Sequence, residues 1–454
     1  MTFLENSYGF SGIKLRDSYQ HLFISKFRDS VYNGNMKPLL CAISLIILLS
    51  PLHAASLFVP MDDTQTDHLK AYGVVFKVLE RGSKAEWLLN FKGGSFLIDD
   101  SPANRDTCLI MGVYYQPVTS GDVADIYRTI EVENMERVEL EKAPNIAVYS
   151  PPSAQPWDDA VTLALNYAEI KYDIVWDEEL LTGKLDEYDW LHCHHEDFCG
   201  QYGKFYAAFR DQTWYQADVR SNEEMAVKLG YRKVSEMKRD VATTIYEYVR
   251  RGGFFFTMCS APETIDNALS AQGIDICTPE FDGDPIDPDY QSKLDYSKTF
   301  AFENFTLYPD PMLYRHSNID TYPDRMMRFP TPETDFAYLF DFAAKLDPVP
   351  TMLTQCHVNA IPGFMGQTTG FRKSLLKKHV TVLAQPDNYD EVRYVHGNLG
   401  RGTFTFYSGH DPEDYQHMVH DEPTDLSLHK HSPGYRLILN NVLFPAAKKK
   451  ERKT

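Results

Sequence analysis

The fold is best predicted from Gly252-Gly253-Phe254-Phe255-Phe256-Thr257-Met258-Cys259-Ser260-Ala261-Pro262. Before it, an amphipathic segment rich in Lys and Arg runs from Val234 to Arg251 and ends at the glycine pair, which is typical of a helix end. The apolar run after the glycines predicts a buried strand, and Pro262-Glu263 indicates the first turn of another helix. The pattern therefore predicts a strand-to-helix turn with the Cys259 thiol at its tip.

A nucleophile elbow has the same layout. It places the reactive atom beside helix amides that lower a thiol pKa and stabilise an oxyanion. Because unpaired cysteine is also among the most buried residue types, a core role for Cys259 is the alternative. The segment predicts Cys259 as a candidate nucleophile and leaves that alternative open.

Strand and helix patterns alternate along most of the chain, which predicts an α/β fold. A small α/β subdomain is expected over residues 56–140, with a strand at Leu109–Tyr115. A second α/β domain follows over 145–447, with an irregular insertion at about 275–390 and a closing hairpin. Alternation favours a parallel sheet with helices on both faces, and such sheets bind ligands at the carboxyl ends of their strands. We therefore expect residues 192–196 and Cys259 at one edge.

The composition excludes one class of partner. The chain has 454 residues and a formal net charge of −19, whereas binding of a phosphate backbone requires clustered Lys and Arg. The basic tail, residues 448–454, is interpreted as a solvated end. We expect no nucleic-acid partner and instead a small-molecule or glycan ligand.

The beginning of the chain contains a leader pattern. Met36-Lys37 precedes an apolar run from Leu39 to Leu49, and the small residues Ala54-Ala55 follow. This arrangement predicts a secretory signal peptide over residues 1–55, with Met36 as the true start and residues 1–35 as an overlong gene start. The apolar run, about a dozen residues, is too short to span a bilayer, so we expect no transmembrane segment after cleavage and export to the periplasm or beyond.

Export affects how the cysteines are interpreted. Six remain after the leader, an even number in an oxidising compartment, and Cys193 with Cys199 is one pair that a disulfide would link. The sequence contains no Cys-x-x-Cys pair, which argues against zinc-ribbon or thioredoxin-like chemistry.

The order of elements resembles the class I glutamine amidotransferase-like fold, a flavodoxin-like parallel sheet. The hairpin over Tyr394–Asp411, which ends in Gly409-His410, is most similar to trehalose-utilisation-like proteins. The resemblance covers roughly residues 145–445. It implies Cys259 as nucleophile, His410 as base, and Asp411 or Glu413 as the acid that orients the imidazole. Thr257 and Ala261 stand where the amidotransferase elbow has glycines, and trehalose-utilisation-like proteins often lack a working triad.

The whole chain also resembles an exported bacterial family that is frequently labelled asparagine synthetase B. The resemblance lies in Trp87–Asn90, Gly200–Tyr206 and Gly409–Tyr415. That label implies glutamine hydrolysis and aspartate adenylation. The sequence lacks the Ser-Gly-Gly-x-Asp-Ser pyrophosphate loop and the processed N-terminal Cys that these reactions need, so it argues against the label.

The densest group of metal-capable side chains is His192-Cys193-His194-His195-Glu196-Asp197. If a strand ends here, His192 and His194 share one face and with Glu196 would bind a divalent metal. Alternatively His194, His195, Glu196 and Tyr202 line a substrate pocket beside Cys259. The acidic loop over residues 282–289 would suit calcium, but its spacing is not that of an EF-hand, so a solvated turn is favoured.

The sequence thus predicts an exported thiol-dependent hydrolase or amidase that requires no cofactor. Two alternatives remain open: a non-catalytic ligand-binding or envelope protein related to carbohydrate, and a metal-dependent hydrolase. Fold resemblance does not decide between them.

Overall fold

The computed structural model describes residues 56–152, 156–327, 331, 335–362, 368–387, 389–414 and 418–447. The predicted leader and the basic tail lie outside the described residues. The strands are β1 (Ser56–Val59), β2 (Ala85–Leu89), β3 (Ser95–Asp99), β4 (Gln116–Val118), β5 (Glu136–Leu140), β6 (Ile146–Tyr149), β7 (Asp173–Val175), β8 (Trp190–Cys193), β9 (Phe254–Met258), β10 (Phe336–Leu339), β11 (Ala360–Pro362), β12 (Phe371–Arg372), β13 (Thr381–Gln385), β14 (Glu391–Val392), β15 (Tyr394–Leu399) and β16 (Gly402–Tyr407). The α-helices are α1 (His68–Glu80), α2 (Pro102–Met111), α3 (Ser120–Val132), α4 (Ala160–Tyr167), α5 (Asp177–Leu181), α6 (Tyr206–Phe209), α7 (Thr213–Lys228), α8 (Val234–Arg251), α9 (Ala261–Ser270), α10 (Pro279–Asp282), α11 (Tyr290–Lys293), α12 (Tyr322–Met326), α13 (Pro348–Leu353) and α14 (Pro433–Leu443).

The first sheet has five antiparallel strands in the order β4-β1-β3-β2-β5. The segment Leu109–Tyr115 was predicted as a strand, but its first half ends helix α2. Ser101 caps that helix by accepting a hydrogen bond from the Asn104 amide at 3.2 Å. Gly112 terminates it in a left-handed conformation with φ of +69°. These cap residues outweigh the apolar run, whose leucine and isoleucine are left exposed.

The second sheet has nine strands in the order β11-β10-β13-β15-β16-β9-β8-β6-β7. Strands β16, β9, β8, β6 and β7 are parallel, as alternation of strands and helices predicts. The other four pair antiparallel, so the sheet is mixed rather than wholly parallel. The structure therefore shows a mixed α/β architecture.

Helices cover both faces of the parallel strands. On β6, Ile146 and Val148 face a core that includes residues of α1, α4, α14 and the first sheet. Ala147 and Tyr149 face the opposite core with α5, α8 and α9. Because one core is shared between the two sheets, Ala54–Thr454 form one compact unit.

The region predicted as an irregular insertion contributes to the main sheet. Strands β10, β11 and β13 lie within it and extend the sheet beyond the closing hairpin of β15 and β16. These strands have only three to five residues, so their sequence pattern is too short to distinguish from a loop. Part of the insertion therefore forms the edge of the main sheet, and other parts form loops.

Candidate functional site

The carboxyl ends of three parallel strands carry most of the predicted site residues. His194, His195 and Glu196 follow β8, Cys259 follows β9, and His410 lies shortly after β16. Strand β9 pairs with both β8 and β16, so the three ends meet at one edge of the sheet.

Backbone hydrogen bonds hold the three loops against one another. The Cys259 amide donates to the Gly409 carbonyl at 2.9 Å, and the Ala261 amide donates to the His194 carbonyl at 3.2 Å. Cys259 has a φ of +53°, a conformation that residues other than glycine rarely adopt and that a sharp strand-to-helix turn imposes. The turn directs the thiol towards the histidine-bearing loops.

Three imidazoles and the thiol converge at this edge. One ligand atom each from His194, His195, Cys259 and His410 lies within 4.8 Å of the other three. The rings of His194 and His195 stack with centroids 4.0 Å apart, and each lies 4.7 Å from the His410 ring. Sulfur and imidazole nitrogen are ligands that zinc and related transition metals prefer, whereas calcium and magnesium prefer oxygen. We call these four residues the Cys-His cluster.

Two consecutive aspartates at the start of α4 hold all three imidazoles. Asp159 Oδ1 lies 3.4 Å from His194 Nδ1. The Asp158 backbone carbonyl lies 3.2 Å from His195 Nε2, and Asp158 Oδ1 lies 3.3 Å from His410 Nε2. Histidines that bind a metal usually donate their second ring N–H to a carboxylate or carbonyl in this way.

These contacts indicate which ring nitrogens of the histidines face away from the aspartates. If each N–H faces its aspartate oxygen, His194 Nε2 and His195 Nδ1 carry lone pairs that face away from the aspartates. Both ring nitrogens of His194 are buried and have no hydrogen-bond partner among the described residues, and the 3.4 Å contact of Nδ1 with Asp159 is an ion-pair distance only. A buried polar atom in that state needs a ligand, and a metal ion beside Cys259 would supply one.

Protonation differs among the members of the cluster. Burial raises the pKa of the Cys259 thiol, so the metal-free side chain is a neutral thiol at pH 7. Burial, with the neighbouring His194 and His410, holds the pKa of His195 well below its usual range. For His194, burial lowers the pKa, but the Asp159 carboxylate outweighs it and the pKa is raised. A bound metal would favour the thiolate and the neutral imidazoles.

His192, predicted as a metal ligand, lies outside the Cys-His cluster but forms a second metal-capable group with His194 and Asp159. Its Nδ1 lies 3.2 Å from the Phe256 carbonyl and its Nε2 lies 3.1 Å from Asp159 Oδ2. Both nitrogens are therefore occupied within the sheet. Glu196, the third predicted ligand, accepts a hydrogen bond from the His194 amide at 2.5 Å. Among the described residues, two of the three predicted ligands, His192 and His194, therefore converge with Asp159, whereas Glu196 belongs to neither group.

The carboxylate beside His410 is Asp158, whereas the resemblance implied Asp411 or Glu413. Asp411 accepts from the Tyr435 hydroxyl at 2.5 Å and from the Glu413 amide at 2.7 Å. Glu413 pairs with His429 at 3.1 Å. These two acids therefore stabilise the loop that carries His410.

The other predicted clusters have internal partners. Lys233 pairs with Asp282 and Asp284 of the acidic loop and with Asp275 before it, so two of the loop carboxylates have a lysine partner. The six cysteines of the described residues, Cys193 and Cys199 included, are all thiols and form no disulfide among themselves.

A cavity of about 330 Å³ adjoins the Cys-His cluster at the ends of β6, β7 and β8. His194, His195, Glu196 and Tyr202 line it, together with aromatic residues and four aspartates: Tyr149, Trp157, Trp176, Phe205, Asp158, Asp159, Asp197 and Asp218. Lys238 also lines the cavity, but its ammonium is held by Asp177 at 2.9 Å. The walls are therefore aromatic and acidic.

Glu196 lines the cavity and accepts a hydrogen bond from the amide of His194, a member of the Cys-His cluster. Burial raises the pKa of its carboxyl to about 8, so it is protonated at neutral pH and able to donate a proton. A shift of this size in a cleft is typical of groups with a catalytic role.

Asp158 and Asp159 are the functional residues that sequence reasoning missed. Their only sequence signal was an acidic pair at a helix start, which suits the helix dipole without any further role. The contact between Asp158 and His410 became evident only in the structure, because these two residues lie 252 positions apart in the sequence.

Comparisons with known proteins show no family. Neither a family model nor a curated protein matches the chain. Among solved structures, the chain is similar to the cytoplasmic protein STM3548 from Salmonella typhimurium, with 12% identity, 67% of this chain and 100% of that chain covered, and a TM-score of 0.34. It is also similar to the cytoplasmic protein STM1381 from Salmonella typhimurium LT2, with 14% identity, 67% and 99% covered, and a TM-score of 0.32. No helix among the described residues has the length and hydrophobicity needed to cross a membrane.

Proposed function

We propose that the protein is a transition-metal-dependent hydrolase whose metal is bound by His194, His195, Cys259 and His410. The observation that carries the proposal is the convergence of their ligand atoms within 4.8 Å of one another. The three aspartate contacts to the imidazoles support it, since histidines that bind a metal usually direct their second ring nitrogen to such an oxygen.

The chemistry follows from the position of the cavity. A metal held by these four side chains would need a fifth position open to the cavity, where it would polarise a carbonyl or lower the pKa of a bound water at the wall formed by His194 and His195. Glu196 lies at the same wall and would donate a proton to the leaving group. Anionic substrates are disfavoured, because aspartates line the cavity and its lysine is already paired. The substrate is therefore a small, polar molecule that is neutral or cationic, with a hydrolysable amide or glycosidic bond.

Metal analysis and a substrate panel test this proposal together. We expect the purified protein to contain zinc or a related metal, and Cys259→Ser and His410→Ala to lose one equivalent and hydrolytic activity. Cys108→Ser is the matched control, because this thiol is buried and belongs to no candidate metal group. Unchanged metal content in both site variants would disprove the proposal. A variant-sensitive metal without hydrolysis of any amide or glycoside would favour the non-catalytic binding protein.

One observation favours thiol-dependent amide hydrolysis as a second candidate: the φ of +53° that places Cys259 at a strand-to-helix turn. In that mechanism Cys259 Sγ attacks the carbonyl carbon, and His410, oriented by Asp158, moves the thiol proton to the leaving amine. Water then hydrolyses the thioester and regenerates the thiol. Rapid iodoacetamide labelling of Cys259 in metal-free protein at neutral pH, slowed by His410→Ala, would favour this candidate over the metal-dependent one.

We further propose that the second sheet is the core of a class I glutamine amidotransferase-like fold and that the protein is exported. The parallel order of β16, β9, β8, β6 and β7 and the turn at Cys259 support the first point. The leader pattern at Leu39–Leu49 supports the second, and fractionation of cells expressing the full chain would test it.

A further inference from the structure

His316 is a buried side chain outside the Cys-His cluster, and neither of its ring nitrogens has a hydrogen-bond partner among the described residues. A neutral imidazole has one donor and one acceptor, and burying both unpaired is costly. Such a group in a folded protein indicates an additional ligand, an ion or a water.

Two further metal-capable side chains face it. One ligand atom each from Asp197, Cys199 and His316 lies within 4.8 Å of the other two. Carboxylate oxygen, thiolate sulfur and imidazole nitrogen together favour zinc or cobalt over calcium or magnesium.

The site is built before any metal arrives. Asp197 accepts hydrogen bonds from the backbone amides of Cys199, Gln201 and Gly203 at 2.7, 2.8 and 2.9 Å, which fixes its carboxylate. On the other side, the His316 carbonyl accepts from the Tyr308 amide at 2.8 Å. The two chain segments therefore present their ligands from fixed loops, which lowers the entropic cost of binding.

We propose that Asp197, Cys199 and His316 form a second, structural metal site for zinc or a similar ion. The ion would link the loop of residues 197–205 to the segment around His316. Because Tyr202, Gly203 and Phe205 in that loop line the cavity, the site would fix one cavity wall. On binding, the Cys199 S–H bond breaks, the sulfur electron pair bonds to the metal, and the proton leaves to solvent.

The neighbouring ammonium group of Lys204 would repel a metal ion at this second site. The Lys204 ammonium donates to the carbonyls of Tyr308 and Asp310 at 2.6 and 3.0 Å. The Asp197 carboxylate offsets that positive charge, and the Cys199 thiol, whose pKa burial raises well above its usual range, adds a second negative charge only when the metal displaces its proton.

Metal content and cobalt spectra of the full-length protein test the second site. We expect His316→Ala and Cys199→Ser each to lose one zinc equivalent, with Cys108→Ser as the buried-thiol control. In cobalt-loaded protein, Cys199→Ser should remove one part of the thiolate-to-cobalt absorption, and Cys259→Ser the other.

The outcomes separate this site from the proposed function. Loss of metal in Cys259→Ser but not in His316→Ala or Cys199→Ser overturns the second site and leaves the first intact. The reverse pattern overturns the first and supports the second. If His316→Ala does not fold, the cobalt spectrum of His316→Gln and Cys199→Ser decides, and an unchanged spectrum in both overturns the inference.

Discussion

Cys259 lies among three imidazoles, yet burial raises the pKa of its thiol. In metal-free protein we therefore expect iodoacetamide to label Cys259 slowly at pH 7, with a rate that still rises above pH 9. Mass spectrometry of the labelled peptide measures the rate, and denatured protein gives the unperturbed reference. Labelling that reaches its plateau below pH 7 would contradict the metal-dependent mechanism, because it would indicate a thiolate already present without metal.

Glu196 supplies the pH dependence expected at the site. Its carboxyl is protonated below a pKa of about 8, so activity should fall as pH rises through that value and the acid is lost. We expect Glu196→Gln to lower kcat by about 10²- to 10⁴-fold and to abolish this alkaline limb, with metal content unchanged. A Glu196→Gln enzyme that keeps the wild-type pH profile would rule out the proton-donor role.

At the scale of elements, the start of helix α4 positions the site. Asp158 and Asp159 contact His194, His195 and His410 through carboxylate and carbonyl oxygens. We expect Asp158→Asn and Asp159→Asn to weaken metal affinity by about 10- to 100-fold. The cobalt spectrum should shift, which a merely structural role would not cause.

The control for that experiment is Asp122→Asn. Asp122 caps the start of helix α3, where it accepts a hydrogen bond from the Thr119 amide at 2.8 Å, and no metal-capable group includes it. Equal metal loss in the control and in the α4 variants would show that helix capping, rather than positioning of imidazoles, explains the effect.

The pairing of β16 with β9 brings His410 beside Cys259, and Gly402 makes that pairing possible. A Cβ at Gly402 would lie 2.2 Å from the Val249 carbonyl oxygen and 2.3 Å from that of Gly253. Because both are backbone atoms, we expect Gly402→Ala to destabilise the protein by about 1–3 kcal/mol. Denaturant unfolding measures the change.

Gly121→Ala is the matched control, since the closest atom to its added Cβ is the Thr119 hydroxyl oxygen at 3.5 Å. We expect this variant to be within about 0.5 kcal/mol of the parent protein. A Gly402→Ala variant as stable as the control would mean that the strand junction tolerates a shift.

At the scale of the whole molecule, buried acids make stability depend on pH. Burial raises the pKa of Glu263 to about 8, that of Asp320 to about 7 and that of Asp266 to about 6. These groups hold protons in the folded state that the unfolded state releases near pH 4. Their contribution to stability is therefore fully present below about pH 4 and is lost as pH rises towards 8.

We expect Glu263→Gln to flatten the decrease in unfolding free energy between pH 5 and pH 8. Glu263 accepts hydrogen bonds from the hydroxyls of Ser317 and Thr368 at 2.6 and 3.1 Å, and the amide oxygen can accept one of them. Glu247→Gln is the control. Its carboxylate forms an ion pair with Arg250, and both side chains reach solvent. If Glu263→Gln left the pH dependence of the unfolding free energy unchanged, the folded protein would not hold a proton on Glu263.

The sequence determined the local features of the site. Glycines at 252–253, the apolar run to Met258 and Pro262 specify a helix, a strand and a turn at Cys259, because caps and periodicity act over a few residues. The closing hairpin follows from the same kind of local signal and places His410 after β16.

Only the tertiary structure decided which side chains act together. Whether His192 or His195 faces Cys259 depends on how β8 ends, and both nitrogens of His192 turn out to be occupied. Asp158, rather than Asp411 or Glu413, reaches His410 across 252 positions of the chain. These choices depend on contacts between distant segments, which spacing within the sequence does not specify. The Cys-His cluster therefore forms only when the strands are assembled into the sheet.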